Sequence, residues 1–496
     1  MASLVSRPKP NGTYAPPDDL PILYRESTPK EEYLASVWSH NHNHRRATNT
    51  RIPRAVVHAT HPSHVSAAVK LAASLGVRVS VRSGGHSWAG WSVRDDAVLI
   101  DLGALPGGKH AADGAATGIE YDKRTRIVSA PPSATGRMVN GFLQPLGRMF
   151  AGGHCPDVGL GGFLLQGGMG WNCKNWGWAC ESIVGLDAVT ADGEEVYAST
   201  TENADLFWAA RGSGPGFPAI VTRFYLHTRP LPEMWQSIYI WPITEYKKVL
   251  QWVVDVCPGA DEDTEMVCLG QYIPDHEEPV VMANFLTFKN TQAEGEAALR
   301  PLHDHPGRPP KPMIESFAHP TSLPGQYEPQ EAANPAGHRY CSENAYVRNE
   351  DDVPAVLEKA FTTLPSRKSF ALYFSMNPTS RRGHYTAGVG DVGSMALSMQ
   401  SDHYFALYTI WEDEKDDDKM VGWVQDVMKG VERHADGSYL GDADFQLRRT
   451  KFWRDENAAR LMALRRKWDP KGRICGYLDQ GDGSGVDGLK NEFEWK

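Results

Sequence analysis

Apolar residues in the first part of the chain recur with helical spacing and then switch to a strand pattern. They return every three or four positions after Ser63, which predicts a helix capped by Ser63 and ended by Gly76. A short apolar strand over 77–81 follows at once. The stretch Thr28-Pro29-Lys30-Glu31 has the form of a capping box with proline at the first helical position, so another helix is predicted there.

Alternating apolar and polar residues further along predict paired strands. Ser182 to Thr190 alternates, a turn follows at Asp192-Gly193, and residues 194–198 alternate again. This pattern favours a hairpin over a crossover helix.

The Pro-rich stretch 228–235 ends the first pattern and predicts a domain boundary. Beyond it the chain alternates strands with amphipathic helices, which predicts an α+β unit with an antiparallel sheet covered by helices. The predicted strands are 237–241, 265–272, 279–288, 370–375 and 404–411, and the predicted helices are 244–256, one from Thr291, and 419–434. Residues 304–336 carry eight prolines without a period and are predicted to be a long surface loop.

Composition narrows the class of protein. A chain of 496 residues with a net charge of -10 predicts two domains or one composite, and it argues against nucleic acid or an anionic membrane as the partner. No apolar run reaches the ~20 residues of a membrane span. The seven cysteines form no CxxC pair and the N-terminus has no apolar signal region, so we expect a cytoplasmic monomer or homodimer, with secretion as the alternative.

Two glycine-rich segments carry the candidate chemistry. Residues 151–170 contain eight glycines, and residues 82–87 read RSGGHS. Such density indicates backbone held close to a flat or phosphorylated ligand. The hairpin that follows and the HCPD sequence at 154–157 do not fit a dinucleotide-binding βαβ unit, and no phosphate-binding GxxxxGK[ST] loop occurs.

Together these segments resemble the berberine-bridge-enzyme-like branch of the vanillyl-alcohol-oxidase, or PCMH-type, flavoprotein superfamily. The similarity covers most of residues 25–225 and returns near the C-terminus. It runs through Arg82–His86, Gly153–Gly162, Gln166–Gly170 and Asn203–Gly212.

The resemblance implies FAD attached at two points, with His86 on the flavin 8α-methyl group and Cys155 on ring carbon 6. It implies two α+β subdomains around FAD from residues 1–230 and 446–496, and a substrate domain over 231–445. The cofactor-binding residues implied are Arg82, Ser83, Gly84, Gly85, His86, Ser87, Gly153, Cys155, Val158, Gly159, Gly161, Gly162, Gly168, Gly170 and Ile220.

The resemblance also addresses catalysis. A small residue at Val158 is typical of members that react with O2 and form H2O2. Members with a tyrosine base carry Tyr-x-Asn-Tyr-x-Asp, whereas this chain has Tyr439-Leu440-Gly441-Asp442-Ala443-Asp444. A carboxylate, Asp442, therefore stands where the base tyrosine is expected, and Tyr439 and Tyr404 are the alternatives.

The expected activity is an oxidase that removes a hydride from an alcohol or amine carbon of a carbohydrate or secondary metabolite. The loss of the usual base leaves two alternatives open, a non-redox flavoprotein cyclase and a dehydrogenase with another electron acceptor. His40, His42 and His44 have the alternation of a strand-borne metal site, but we predict a polar surface strand and no metal there.

Overall fold

The structure, a computed structural model, describes residues 14–38, 51–111, 118–376, 394–483 and 485–495. Its first sheet has the order β1-β2-β4-β3, with β2, β4 and β3 parallel and β1 antiparallel at the edge. Two helices accompany these strands. The bounds are β1 Ile22–Tyr24, α1 Lys30–Val37, β2 Ala55–His58, α2 Pro62–Leu75, β3 Val79–Arg82 and β4 Val98–Asp101.

The second sheet is antiparallel and has the order β5-β6-β10-β8-β9. The predicted hairpin is its β8–β9 pair. The bounds are β5 Glu120–Asp122, β6 Ile127–Ala130, α3 Gly136–Leu143, β7 Arg148–Met149, α4 Leu160–Leu165, α5 Cys173–Trp176, β8 Ile183–Thr190, β9 Glu195–Ser199, α6 Ala204–Ala209, β10 Ala219–His227 and β11 Arg229–Pro230. Strands β7 and β11 pair with each other.

The third sheet is antiparallel and has the order β15-β12-β14-β13-β17-β18-β16-β19. Its strands are β12 Glu233–Pro242, β13 Thr264–Gln271, β14 Val280–Lys289, β15 Ile314–Thr321, β16 Arg339–Val347, β17 Phe370–Ser375, β18 His403–Trp411 and β19 Ala435–Gly437. The helices of this region are α7 Tyr246–Val256, α8 Gln292–His303, α9 Leu323–Ala333, α10 Val353–Thr362 and α11 Asp417–Glu432. Helices α7, α8, α10 and α11 pack on one face of the sheet and bury a core there.

The last segment folds back onto the first two sheets. It contains α12 Asp455–Trp468, and beyond this helix the backbone of Arg473 and Cys475 bonds to Val79 on both sides at 2.8 Å. The phenol of Tyr477 donates to the Ser213 carbonyl at 2.8 Å. The predicted fold class, two α+β units and an antiparallel sheet covered by helices, is confirmed.

Three local predictions were wrong. Most of residues 304–336 are not a surface loop, because 314–333 form β15 and α9, with Pro320 in the strand, Pro324 at the start of the helix and Pro329 inside it. Helix α1 begins after Pro29 without a side-chain cap. Helix α2 is capped by the His61 imidazole, which accepts from the Ser63 backbone N–H at 3.3 Å. Within the described residues no helix is long and apolar enough to cross a membrane.

Candidate active site

A cavity of about 790 Å³ lies between the glycine-rich segments and the face of the third sheet that carries no covering helices. Strands β12, β13, β14, β17 and β18 contribute alternate side chains to its wall, as expected for one face of a pleated sheet. Helix α9 closes one side of it. The cavity therefore combines residues from both parts of the chain.

The two glycine-rich segments meet backbone to backbone. A Cβ on Gly84 would lie 2.6 Å from the Gly159 nitrogen, and one on Gly159 would lie 2.7 Å from the Gly84 nitrogen. A Cβ on Gly161 would likewise meet the Ser83 hydroxyl at 2.5 Å. Gly85 has φ of 72°, which favours glycine in this turn. The glycines thus hold residues 83–86 against the start of α4.

Most of the residues implied by the resemblance line this one cavity. They are Arg82, Ser83, Gly84, Gly85, His86, Ser87, Gly153, Cys155, Val158, Gly159, Gly161, Gly162, Ile220, Tyr404, Tyr439 and Asp442. Gly168 and Gly170 are not among the lining residues. The Gly168 N–H donates to the Tyr439 hydroxyl at 3.2 Å, and Gly170 pairs with Gly153 in an isolated bridge, so both shape the wall from behind.

Arg82 supports the loop through buried contacts. Its guanidinium donates to Asp101 Oδ2 at 2.8 Å and to the backbone carbonyls of Ser36 and Val37. Burial alone would raise the pKa of Asp101, but the hydrogen bond from His58 and the charge of Arg82 hold it well below its usual range. The pair ties β3 to β4 directly beneath the turn.

His86 and Cys155 both face this cavity, as attachment to one ligand requires. Cys155 is half-buried, and burial raises the pKa of its thiol to about 11. The charges of Asp157 and Glu331 act in the same direction. The thiol is therefore protonated at neutral pH in the protein alone.

Asp442 sits among three donors. The Tyr404 hydroxyl donates to Asp442 Oδ2 at 2.5 Å, and Tyr408 and the Trp88 indole also donate to this carboxyl. Burial raises the pKa of Asp442, and the three hydrogen bonds oppose that rise only in part. A carboxylate with a raised pKa on a cavity wall is suited to accept a proton.

Tyr439 has a different environment. Burial, followed by the charge of Asp442, raises the pKa of its phenol well above 10. Asn344 fixes the Tyr439 backbone from both sides, donating to its carbonyl at 2.8 Å and accepting from its N–H at 2.7 Å. These contacts make Tyr439 a fixed neutral phenol. Val158 is partly buried at the cavity wall.

A second polar pair lies in the cavity and was not predicted from the sequence. His154 Nε2 lies 2.9 Å from Glu265 Oε1, while Glu265 Oε2 accepts from the Asn172 N–H at 2.7 Å. Since Glu265 lies on β13, far from His154 in sequence, only tertiary structure joins them. His40, His42 and His44, the weak metal candidates, lie outside the described residues.

The cavity fits FAD. Gly162 is exposed at the cavity wall with open space where a Cβ would lie, so a flat ligand can approach the backbone there. The imidazole of His86 and the thiol of Cys155 both line this cavity, and each side chain is a nucleophile. FAD when bound accepts a hydride or electrons from a substrate.

Comparison with known proteins supports FAD binding by this chain. Residues 53–199 match the family model described as FAD binding domain. The chain is 37% identical over 465 residues to FAD-linked oxidoreductase ptmO of Penicillium ochrochloron, covering 93% of this chain and 97% of that protein.

Two solved structures share the fold. BBE-like 1 of Physcomitrella patens superposes with a TM-score of 0.75 at 19% identity, covering 91% of this chain and 95% of that one. A glucooligosaccharide oxidase of Acremonium strictum, described with a novel flavinylation, gives a TM-score of 0.75 at 19% identity, covering 96% and 97%.

Fold and cavity together define an FAD-binding oxidoreductase. The chain belongs to the FAD-linked oxidoreductases, and it has the fold of the berberine-bridge-enzyme-like structures. The predicted family is thereby confirmed.

Proposed function

We propose that the protein is an oxidase with FAD attached to both His86 and Cys155, which oxidises an alcohol or amine carbon of a small molecule. Asp442 accepts the proton of the substrate hydroxyl or amine, and the hydride from the adjacent carbon passes to the flavin. O2 would then take up the two electrons with two protons, one from the reduced flavin and the one held by Asp442, and form H2O2.

The observation that carries this proposal is the Asp442 carboxylate, held by Tyr404, Tyr408 and Trp88 on the wall of the cavity that contains both attachment residues. Its position supports a proton-abstracting role that a purely structural flavin would not need. Tyr439 supports the wall instead, because its phenol remains protonated. The small side chain of Val158 supports access of O2.

Relatives guide the substrate class only broadly. They include an FAD-linked oxidoreductase, whose name gives no substrate, and a glucooligosaccharide oxidase, so we propose a carbohydrate or a secondary metabolite without choosing between them.

Acid precipitation of purified protein tests the attachment. A yellow pellet is expected from the wild type and from His86→Ala and Cys155→Ala singly, because each variant keeps one link. The double variant should release its flavin to the supernatant. Cys475→Ala, which removes another cavity-lining thiol, is the matched control and should keep both links. Flavin retained by the double variant would refute both assignments.

Timed re-exposure to air tests the electron acceptor. Photoreduced wild-type protein should recover its oxidised spectrum rapidly in air-saturated buffer, with H2O2 formed in proportion. Val158→Leu should slow this step if the small side chain admits O2. Slow recovery in the wild type would favour a dehydrogenase with another acceptor.

A further inference from the structure

A chain of hydrogen bonds crosses the cavity face of the third sheet at its β15 end. Ser316 Oγ lies 2.9 Å from His319 Nδ1, and His319 Nε2 lies 3.1 Å from Gln236 Oε1. Gln236 Nε2 then donates to Asn284 Oδ1 at 2.9 Å. Because the amide oxygen of Gln236 can only accept, His319 Nε2 donates to it while Nδ1 faces the Ser316 hydroxyl, and burial lowers the pKa of this imidazole. The direction of the chain is therefore fixed.

The chain ends at the side-chain nitrogen of Asn284. Its Oδ1 is used by Gln236, and among the described residues none accepts a hydrogen bond from its Nδ2. Asn284 is half-buried on β14 and lines the cavity. Bonds arranged in series polarise one another, which strengthens the terminal donor. The sheet thus presents an uncharged N–H donor to whatever occupies the cavity.

The sheet register places this donor in one row with the proposed base. Asn284 pairs with Val267, Val267 with Phe374, and Phe374 with Tyr404, which holds Asp442. Three strand spacings separate Asn284 from Tyr404, about 14 Å at ~4.8 Å each. The two positions between them carry only apolar side chains. The row therefore has a polar donor at one end, an apolar middle and an acid–base group at the other end.

We propose that Asn284 binds a neutral acceptor oxygen, a carbonyl, ether or hydroxyl, of an elongated and mostly apolar substrate whose reacting carbon lies at Asp442. The inference rests on the proposed function, because it takes the Asp442 end as the reacting end.

A charged acceptor fits this position poorly. The hydrogen-bond chain carries no formal charge to offset the desolvation of a carboxylate. Glu265, in the adjacent row opposite Leu286, adds a negative charge to the same wall. Contact with Val267 and Phe374 favours hydrocarbon over a sugar ring in the middle of the row, because these two side chains offer no hydrogen bond to a hydroxyl.

Calorimetric titration of the flavin-loaded protein tests this with four named probes. They are undecanol, the same chain carrying a methyl ketone at the far end, the matching ω-hydroxy carboxylate, and xylobiose. The ketone probe should bind about fivefold more tightly than undecanol, which is the affinity gain expected from one net hydrogen bond. The carboxylate probe and xylobiose should both bind more weakly than the ketone.

Substitutions test whether Asn284 is the residue that causes the tighter binding of the ketone. Asn284→Leu should abolish the ketone advantage and leave undecanol binding intact. Asn284→Asp, which keeps the shape of the side chain, should turn the advantage into a penalty. Gln330→Leu removes another amide on the same wall outside the row, and it should retain the full advantage.

Equal binding of ketone and undecanol by the wild type, a ketone advantage that survives Asn284→Leu, or tightest binding of xylobiose would each overturn the inference. These titrations measure binding alone, so their failure is separate from failure of the oxidase proposal. The oxidase proposal is contradicted instead if the acid-precipitated wild type releases its flavin, or if its reduced flavin reoxidises slowly in air.

Discussion

Replacing Asp442 should have different effects on catalysis and on the free energy of unfolding. The raised pKa means that the folded protein binds a proton here more tightly than the unfolded chain does. Stability from this group is therefore lost as pH rises above the unfolded value of about 3.9. The melting temperature of the wild type should therefore fall relative to that of Asp442→Asn as pH rises from 4 to 7, because only the wild type has this titrating group.

The same variant should lose activity. With any substrate that reduces the wild-type flavin, Asp442→Asn should reduce it about 10²- to 10⁴-fold more slowly, because the proton acceptor is gone. Asp444→Asn, a nearby buried carboxyl outside the cavity lining, is the control and should keep the wild-type rate. Undiminished flavin reduction in Asp442→Asn would assign the base elsewhere.

The thiol of Cys155 predicts a pH-dependent attachment. Burial holds its pKa at about 11, so the reactive thiolate is scarce at neutral pH and its fraction rises with pH. In His86→Ala, Cys155 is the one proposed attachment residue that remains. Attachment of added FAD to this variant should speed up about tenfold per pH unit between pH 7 and 9. Acid precipitation at timed intervals measures it, and a rate independent of pH would contradict the prediction.

At the scale of elements, the contact between the two glycine loops is the most constrained feature of the site. Gly159→Ala places a Cβ against the Gly84 backbone, which cannot yield without separating the loops. We expect a loss of about 1–3 kcal/mol in the free energy of unfolding and poor flavin loading. Denaturant titration and the absorbance ratio of flavin to protein measure the two effects.

Two glycine variants serve as controls for that prediction. Gly162→Ala meets no atom within 4 Å, so it should fold normally and affect only flavin loading. Gly141→Ala in helix α3 also meets open space and should stabilise the protein by up to about 1 kcal/mol through helix propensity. Equal destabilisation by all three would show that loop contact is not the cause.

The elements that sequence predicted best are those whose signal is local. The β8–β9 hairpin follows from strict alternation around Asp192-Gly193, and helix α8 from the Thr291 and Glu294 capping box, which the structure contains. The prediction of a loop over residues 304–336 was wrong because the frequency of proline was taken as a loop signal. Pro324 instead occupies the start of α9, where a missing N–H costs nothing.

The cavity residues, too, could be predicted from the sequence only where the signal is local. The turn at 84–86 and the segment at 153–162 are visible in sequence, because glycine density is a local property. The Asp442 environment is not, since Trp88 and the β18 tyrosines are brought to it by strand register and by packing between distant segments. The row from Asn284 to Tyr404 likewise exists only once four strands are aligned.

At the scale of the whole molecule, one apolar core joins the parts that the sequence divides. Val128 of the second sheet, Phe374 of the third and Leu461 of the last helix belong to the same buried cluster. The final segment adds specific ties, with the Trp453 indole donating to the Gly212 carbonyl at 2.8 Å. Separate unfolding of a flavin domain and a substrate domain would expose this shared core, so it is strongly disfavoured.

Thermal unfolding should therefore be a single transition. Flavin fluorescence, which reports the cavity, and far-ultraviolet circular dichroism, which reports all three sheets, should give coincident midpoints.

Tyr477→Phe removes the hydroxyl that donates to the Ser213 carbonyl and should lower the free energy of unfolding by about 1 kcal/mol while moving both midpoints together. Val254→Ala, at a partly buried position of α7 that packs against the helix-covered core, should also move both midpoints if the two cores unfold as one. A flavin signal that melts well before the dichroism would contradict the shared core and make the cavity an independently unfolding unit.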